Sequence, residues 1–122
     1  MRSPFSSTRI MISLVGISAS VSLPALADKD PKTDRVFRAK CAGCHGDDGA
    51  GATDQGKKMG VADMTSAAWQ KQFSDDKIKA AINDGLNRDK NGKHQEMEGY
   101  KSKLRPDQVD ALLLYIRALA AK

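Results

Sequence analysis

The sequence contains few of the residues that usually stabilise a small domain. It has two cysteines, two histidines and one tryptophan among 122 residues. Cys41 and Cys44 lie three positions apart, so a disulfide between them would close a very short loop and restrain the unfolded chain little. A structural zinc site takes four ligands, usually as two pairs, whereas His94 stands alone as the second histidine. A structural disulfide and a zinc site are therefore both poorly supported.

The charge pattern is not that of a nucleic-acid-binding protein. The chain has 20 basic and 15 acidic residues, giving a formal net charge of +5. The two signs are interspersed, and no cationic run is interleaved with aromatic residues. We therefore expect no nucleic-acid partner, and a weakly basic surface that could meet an acidic protein.

The first 27 residues have the pattern of an export signal. Arg2 and Arg9 give a positive start, residues 10–21 are mostly apolar, and Ala25-Leu26-Ala27 matches a small-x-small cleavage site. The apolar run is shorter than the roughly 20 residues that span a bilayer. We expect cleavage after Ala27, a periplasmic location, and one domain over residues 28–122 without a transmembrane segment.

Several short helices are predicted in that domain from their capping residues. Thr33 is expected to cap a helix that runs from about Asp34 into the cysteines. A short helix is predicted to begin near Ser66. Another is predicted after Ser74, with Gly85 following its last turn.

The last helix has the strongest periodicity in the sequence. It is predicted to begin near Pro106, and its apolar residues recur at helical spacing. These residues are Val109, Leu112, Leu113, Ile116, Leu119 and Ala120. Residues 46–60 and 86–104 are predicted to be irregular, and no segment alternates convincingly enough to predict a strand. The predicted class is all-α, with two long loops of the kind that are usually functional or held by a nonprotein group.

The clearest chemical motif is Cys-x-x-Cys-His at Cys41, Cys44 and His45. A thioredoxin-like redox pair would follow a strand, and no strand pattern precedes Arg35. In covalent haem attachment, each thiol adds to one vinyl group of the porphyrin and the next histidine ligates iron. We therefore predict one haem c, with Cys41 and Cys44 as thioether links and His45 as an axial iron ligand.

With this motif, the sequence resembles the class I monohaem c-type cytochromes over nearly all of residues 28–122. Phe37 matches the aromatic residue that usually precedes the motif, and "GVADMTS" followed by Trp69 is similar to the family's middle segment. "LRPDQVDALLLYIRALA" is similar to its closing helix, with Tyr115 where an aromatic residue packs against the first helix. The resemblance implies a cytochrome c-like domain of three to five short helices around one covalently attached haem.

Four residues are candidates for the sixth iron ligand: Met59, Met64, His94 and Met97. The resemblance implies Met97, which lies a few residues before the last helix, and it implies a packing role for Met59 and Met64. A thioether ligand raises the reduction potential of haem iron. His94 remains the alternative ligand. Glu98 stands where the family commonly has proline, so we expect a less rigid loop.

Two weaker patterns lie in the predicted loops. Residues 51–58, "GATDQGKK", depart from the phosphate-binding G-x-x-x-x-G-K-[ST] at Lys58. A calcium-loop spacing is formed by Asn87, Asp89, Asn91, Gly92 and Glu98, although its first position is not aspartate. The glycines of residues 46–60 are expected to let the backbone approach a flat ring.

The function expected from these features is that of a soluble, exported, monomeric electron carrier that is not an enzyme. Five lysines of the two loops are expected to attract acidic redox partners: Lys57, Lys58, Lys93, Lys101 and Lys103. The alternative is a haem enzyme or small-molecule sensor in which the sixth iron position opens or is taken by His94. Because the sequence shows no nucleophile–base pair and no second haem motif, the carrier is favoured.

Overall fold

The computed structural model describes Gly16 and residues 29–121, so the predicted export signal lies almost wholly outside the described residues. Six α-helices and two strands occur in this part of the chain. The helices are α1 (Pro31–Lys40), α2 (Ala42–His45), α3 (Asp54–Met59), α4 (Ala67–Gln72), α5 (Asp75–Asp84) and α6 (Pro106–Ala118). The strands are β1 (Leu86–Lys90) and β2 (Lys93–Met97), and a 3-10 turn covers Leu119–Ala121.

The predicted all-α class is confirmed in that the described part is mostly helical, but this part also has a two-stranded sheet and one helix more than the predicted maximum. The extra helix is α3, which lies inside the segment that was expected to be irregular. Within the described residues, every helix is too short or too polar to cross a membrane.

Local capping chemistry sets the helix starts. The Asp30 carboxylate accepts hydrogen bonds from the Thr33 backbone N–H (3.1 Å) and hydroxyl (2.9 Å). Asp30, and not Thr33, is therefore the N-cap, and α1 begins at Pro31 instead of the expected Asp34. Ser66 and Ser74 cap α4 and α5 as predicted, each accepting from a backbone N–H of the first turn. Aspartates in the first turn of α5 add a favourable interaction with the helix dipole.

The protein core forms where α6 crosses α1 and α5. Phe37 and Leu112 are almost fully buried, and the Phe37 and Tyr115 rings lie 4.7 Å apart. The Tyr115 hydroxyl donates a 2.7 Å hydrogen bond to Asp34. Burial and this hydrogen bond raise the pKa of Tyr115 to about 12. The packing of Tyr115 against the first helix, which the resemblance implied, is confirmed.

Arg117 joins α6 to the α4–α5 connection. Its guanidinium donates to the Gln70 carbonyl (2.8 Å), the Phe73 carbonyl (2.7 Å) and the Asp75 carboxylate (2.7 Å). The Gln70 side chain in turn donates to the Ile116 carbonyl at 3.0 Å. These bonds satisfy the open carbonyls at the end of α4 and hold that helix against α6.

Residues 86–97 form a β-hairpin, so the prediction of an irregular segment there is wrong. The strands are antiparallel, with Leu86 opposite Met97 and Lys90 opposite Lys93. Asn91 (φ 52°) and Gly92 (φ 74°) both have positive φ, as a two-residue type I′ turn requires. Asn87 and Asp89 lie on β1, Asn91 and Gly92 form the turn, and Glu98 follows β2, so the calcium-loop pattern belongs to a hairpin and not to a calcium-binding loop.

Part of the glycine-rich segment packs closely against other protein backbone. Thr53 donates to the carbonyls of Gly43 (2.9 Å) and Cys44 (3.1 Å), which folds residues 46–60 back onto α2. A Cβ at Gly56 would lie 2.5 Å from the Gly51 carbonyl oxygen, and closer still to that of Cys44. No strand precedes this segment in the described part of the chain, so the phosphate-loop pattern lacks its structural context.

Replacing Gly56 by alanine tests this packing. Because the added methyl group would overlap two carbonyl oxygens, we expect Gly56→Ala to lower the free energy of unfolding by about 1–3 kcal/mol. Gly43→Ala is the matched control, since no atom lies within 4 Å of its added Cβ. Denaturant unfolding of the haem-loaded proteins measures both, and equal stabilities would contradict the packing account.

Candidate functional site

One cavity of about 790 Å³ opens between α2, α3, α4, α5 and the hairpin. Its size is within the range of cofactor pockets, roughly 300–1,000 Å³. The lining is mainly apolar and includes Phe37, Val61, Met64, Trp69, Phe73, Ile78, Ile82, Leu86, Leu104, Leu112 and Ile116. Cys41, Cys44, His45 and Met97 line the same cavity. The structure therefore brings together the four residues singled out by the sequence as thioether or iron ligands.

The two cysteines are not joined to each other. Cys41 is the C-cap of α1, and α2 carries Cys44 and His45. Burial raises the pKa of the Cys41 thiol to about 11, so this group is protonated at neutral pH. A disulfide oxidoreductase needs the opposite shift, because the thiolate is its nucleophile. The environment therefore disfavours a thioredoxin-like redox pair.

His45 has the properties of a metal-binding imidazole. Burial lowers its pKa, which keeps the ring in the neutral form that ligates metals. Its buried Nδ1 has no hydrogen-bond partner within the described residues. Buried polar atoms almost always have a partner, so such an atom needs an explanation such as a missing ligand or water. Two free thiols, a neutral imidazole and a large apolar cavity fit a covalently attached porphyrin.

The candidates for the sixth ligand differ in position. Met59, Met64 and Met97 line the cavity, whereas His94 does not. His94 is exposed on the hairpin, where its Nδ1 lies 2.9 Å from the Asp89 carboxylate. Met59 and Met64 belong to the segment that folds onto α2, since the Met64 N–H donates to the Gly49 carbonyl (3.0 Å). Met97 belongs to the hairpin, a separate part of the cavity wall.

Close backbone packing fixes the end of the hairpin that carries Met97. A Cβ at Gly85 would lie within 3 Å of the Met97 carbonyl oxygen and of the Gly99 nitrogen. The Tyr100 N–H donates to the Ile82 carbonyl at 2.8 Å, which ties the following residues to α5. Met97 is thus restrained although Glu98 replaces the proline that the family commonly has there.

The cationic side chains at the cavity are not the ones expected from the sequence. Lys40, Lys77, Arg88 and Lys90 line it. The five lysines that the sequence analysis expected to attract acidic partners are exposed, but none of them lines the cavity. Two of those five have local partners: Lys93 donates to the Lys57 carbonyl (2.7 Å), and Lys103 pairs with Glu98.

Sequence reasoning missed Arg88 and Gln95, because it treated the hairpin as a loop. The available signal was Asn91-Gly92, the preferred dipeptide of a two-residue hairpin turn.

Comparisons with known proteins agree with this site. Residues 32–120 match the family model for cytochrome c. The chain is 27% identical over 116 residues to the Cbb3-type cytochrome c oxidase subunit FixPc of Rhizobium leguminosarum bv. viciae, covering 95% of this chain and 36% of that protein. It therefore spans about a third of that relative's length. The solved structure of the KustC0563 c-type cytochrome is 32% identical, has a TM-score of 0.60, and is similar over 71% of this chain and 95% of its own.

The restraint on Met97 can be tested by comparing Gly85→Ala with Gly92→Ala. Both glycines have positive φ, which costs an alanine roughly 1 kcal/mol, and Gly85 (φ 73°, ψ −171°) also lies in a backbone region essentially restricted to glycine. Only at Gly85 does the new methyl group also overlap the backbone of residues 97–99. We expect Gly85→Ala to lower the free energy of unfolding by about 1–3 kcal/mol more than Gly92→Ala. Equal losses in denaturant titrations would show that the contact with Met97 contributes nothing.

Proposed function

Because the chain belongs to the cytochrome c family, we propose that it is an exported single-haem electron carrier whose iron lies between His45 and Met97. Membership in the family means that the chain binds haem c covalently and functions in haem-based electron transfer. The main support for placing the iron between His45 and Met97 is the cavity, which these two residues line from separate parts of the chain.

Each of the four residues has a role that suits its surroundings. Cys41 and Cys44 provide the thiols for the two thioether links, and the neutral imidazole of His45 ligates the iron. Met97 fills the sixth position with a soft sulfur donor. Apolar walls that include Leu112 exclude water and favour the less charged, reduced state of the site. Once bound, the haem supplies a metal centre that gains or loses one electron.

The alternative, an enzyme or sensor with an open or His94-ligated iron, has less support. His94 is paired with Asp89 on an exposed part of the hairpin, outside the cavity lining. The packing of Gly85 against residues 97–99 restrains the segment that would have to move for the sixth position to open.

The proposed partners are redox proteins with acidic docking surfaces. Lys40, Lys77, Arg88 and Lys90 place positive charge around the cavity, which would attract such a partner. The similarity to a cytochrome c oxidase subunit is consistent with a role in protein-to-protein electron transfer. A periplasmic location is proposed from the export-signal pattern of residues 1–27 alone.

Replacement of Met97 tests the sixth ligand. We expect Met97→Ala to abolish the methionine-to-iron charge-transfer band of the oxidised protein and to admit cyanide readily. Its reduction potential should fall by on the order of 100 mV, since axial ligands set haem potentials over about 0.8 V. Met59→Ala, which removes another cavity-lining thioether, should retain the band. An unchanged spectrum and potential in Met97→Ala would refute the assignment.

The proposed docking charge can be measured without knowing the natural partner. Oxidation of the reduced protein by the anionic complex hexacyanoferrate(III) should slow as ionic strength rises, because salt screens its attraction to the cavity rim. The double variant Lys40→Gln/Lys77→Gln should weaken this salt dependence. Lys32→Gln, which removes one exposed charge outside the cavity lining, should change it less. A wild-type rate that is independent of salt would contradict the docking proposal.

A further inference from the structure

One face of the β-hairpin is part of the cavity wall. Side chains alternate between the two faces of a strand, so Leu86, Arg88 and Lys90 share a face of β1. Gln95 and Met97, their neighbours on β2, share that face. All five line the cavity, whereas Asn87, Asp89 and His94 do not. Glu96, on the opposite face of β2, also lines it, and Lys93, at the tip, does not.

The character of this face changes from apolar to cationic along the hairpin. At the base, Leu86 lies opposite Met97, both half-buried. In the middle, Arg88 lies opposite Gln95, and at the tip Lys90 lies opposite Lys93. A haem has the same gradient, with a flat apolar ring and two carboxylates on one edge.

The two ends of the hairpin are attached to different segments of the chain. The Tyr100 hydroxyl, three residues beyond β2, donates a 3.0 Å hydrogen bond to the Lys40 carbonyl, next to Cys41. At the other end, the Lys93 ammonium donates to the Lys57 carbonyl on α3. The base that carries Met97 is thus attached beside Cys41, and the cationic tip is attached to α3, whose Gly56 packs against the Cys44 carbonyl. Arg88 lies between these two attachments, two ladder positions from Met97.

Arg88 is held in place by a chain of hydrogen bonds. Its Nε donates to the Gln95 amide oxygen at 3.0 Å. The Gln95 amide nitrogen donates to the carbonyls of Met59 (3.1 Å) and Gly60 (2.9 Å) at the end of α3. Neither Nη atom of Arg88 has a hydrogen bond or an ion pair within the described residues. These two nitrogens form an open fork suited to a carboxylate.

The nearby acidic groups do not neutralise this fork. Asp89, the next residue, pairs with His94. Glu98 pairs with Lys103, and Glu96 lies opposite Asn87 in the ladder. Arg88 therefore forms no ion pair with a carboxylate of the described residues, although Asp84, Glu96 and Glu98 line the same cavity.

We propose that Arg88 binds a haem propionate through its two Nη groups, with Gln95 as the positioning residue that holds the guanidinium. The hairpin would then bind the cofactor at two points: Arg88 would bind a carboxylate, and Met97 would bind the iron. The proposal rests on the haem-binding function above, since a propionate is its ligand.

Resonance Raman spectroscopy of the haem-loaded protein tests the contact directly, because the propionate-bending bands respond to hydrogen bonds at those carboxylates. We expect Arg88→Gln to shift one of these bands and to lower the reduction potential at neutral pH. Arg88→Lys, which keeps the charge but loses the fork, should restore most of the potential and leave the band shifted. Arg35→Gln is the matched control, because Arg35 is exposed and does not line the cavity.

Gln95→Ala provides a second test that changes no charge. If Gln95 positions the guanidinium, this variant should shift the same propionate band. Wild-type bands in both Arg88→Gln and Gln95→Ala, with haem still attached covalently, would overturn the proposal and leave the proposed function intact. Absence of covalent haem from the wild-type protein would refute the proposed function itself.

Discussion

The structure depends on an apolar cavity that its own side chains do not fill. α6 packs against α1 and α5, and this contact buries Phe37, Leu112 and Tyr115. Beyond it, the remaining elements surround about 790 Å³ of space lined mainly by apolar atoms. Such a space loses the dispersion contacts that a packed interior provides, so a large flat ligand contributes to stability as well as to function. Cys41, Cys44 and His45 lie at the wall where such a ligand is captured.

The helices could be predicted from the sequence because their signals are local. Ser66 and Ser74 cap helices by accepting hydrogen bonds from N–H groups three residues away, and α6 repeats apolar residues at helical spacing. The Cys-x-x-Cys-His motif is also local, so the thiols and imidazole of the site could be named without coordinates. Met97 was identified by resemblance, since its position depends on the packing of Gly85 against residues 97–99.

The hairpin could not be recognised from hydrophobicity because most of its residues are polar. Only Leu86 and Met97 provide apolar side chains on the face toward the cavity, and Arg88 and Lys90 occupy the other positions of that face on β1. A strand that faces an amphiphilic ligand need not alternate between apolar and polar residues. The role of Gly56 could not be predicted either, because this glycine makes room for neighbouring carbonyls, and that contact depends on how residues 46–60 fold back.

The central claim is that the cavity holds one haem linked covalently to Cys41 and Cys44. The most direct measurement is the intact mass of the mature protein, purified from cells competent for cytochrome c maturation and denatured before analysis. The account predicts a mass equal to the polypeptide plus one haem, and loss of that added mass when both cysteines are replaced by alanine. A denatured wild-type polypeptide with no added mass would contradict it.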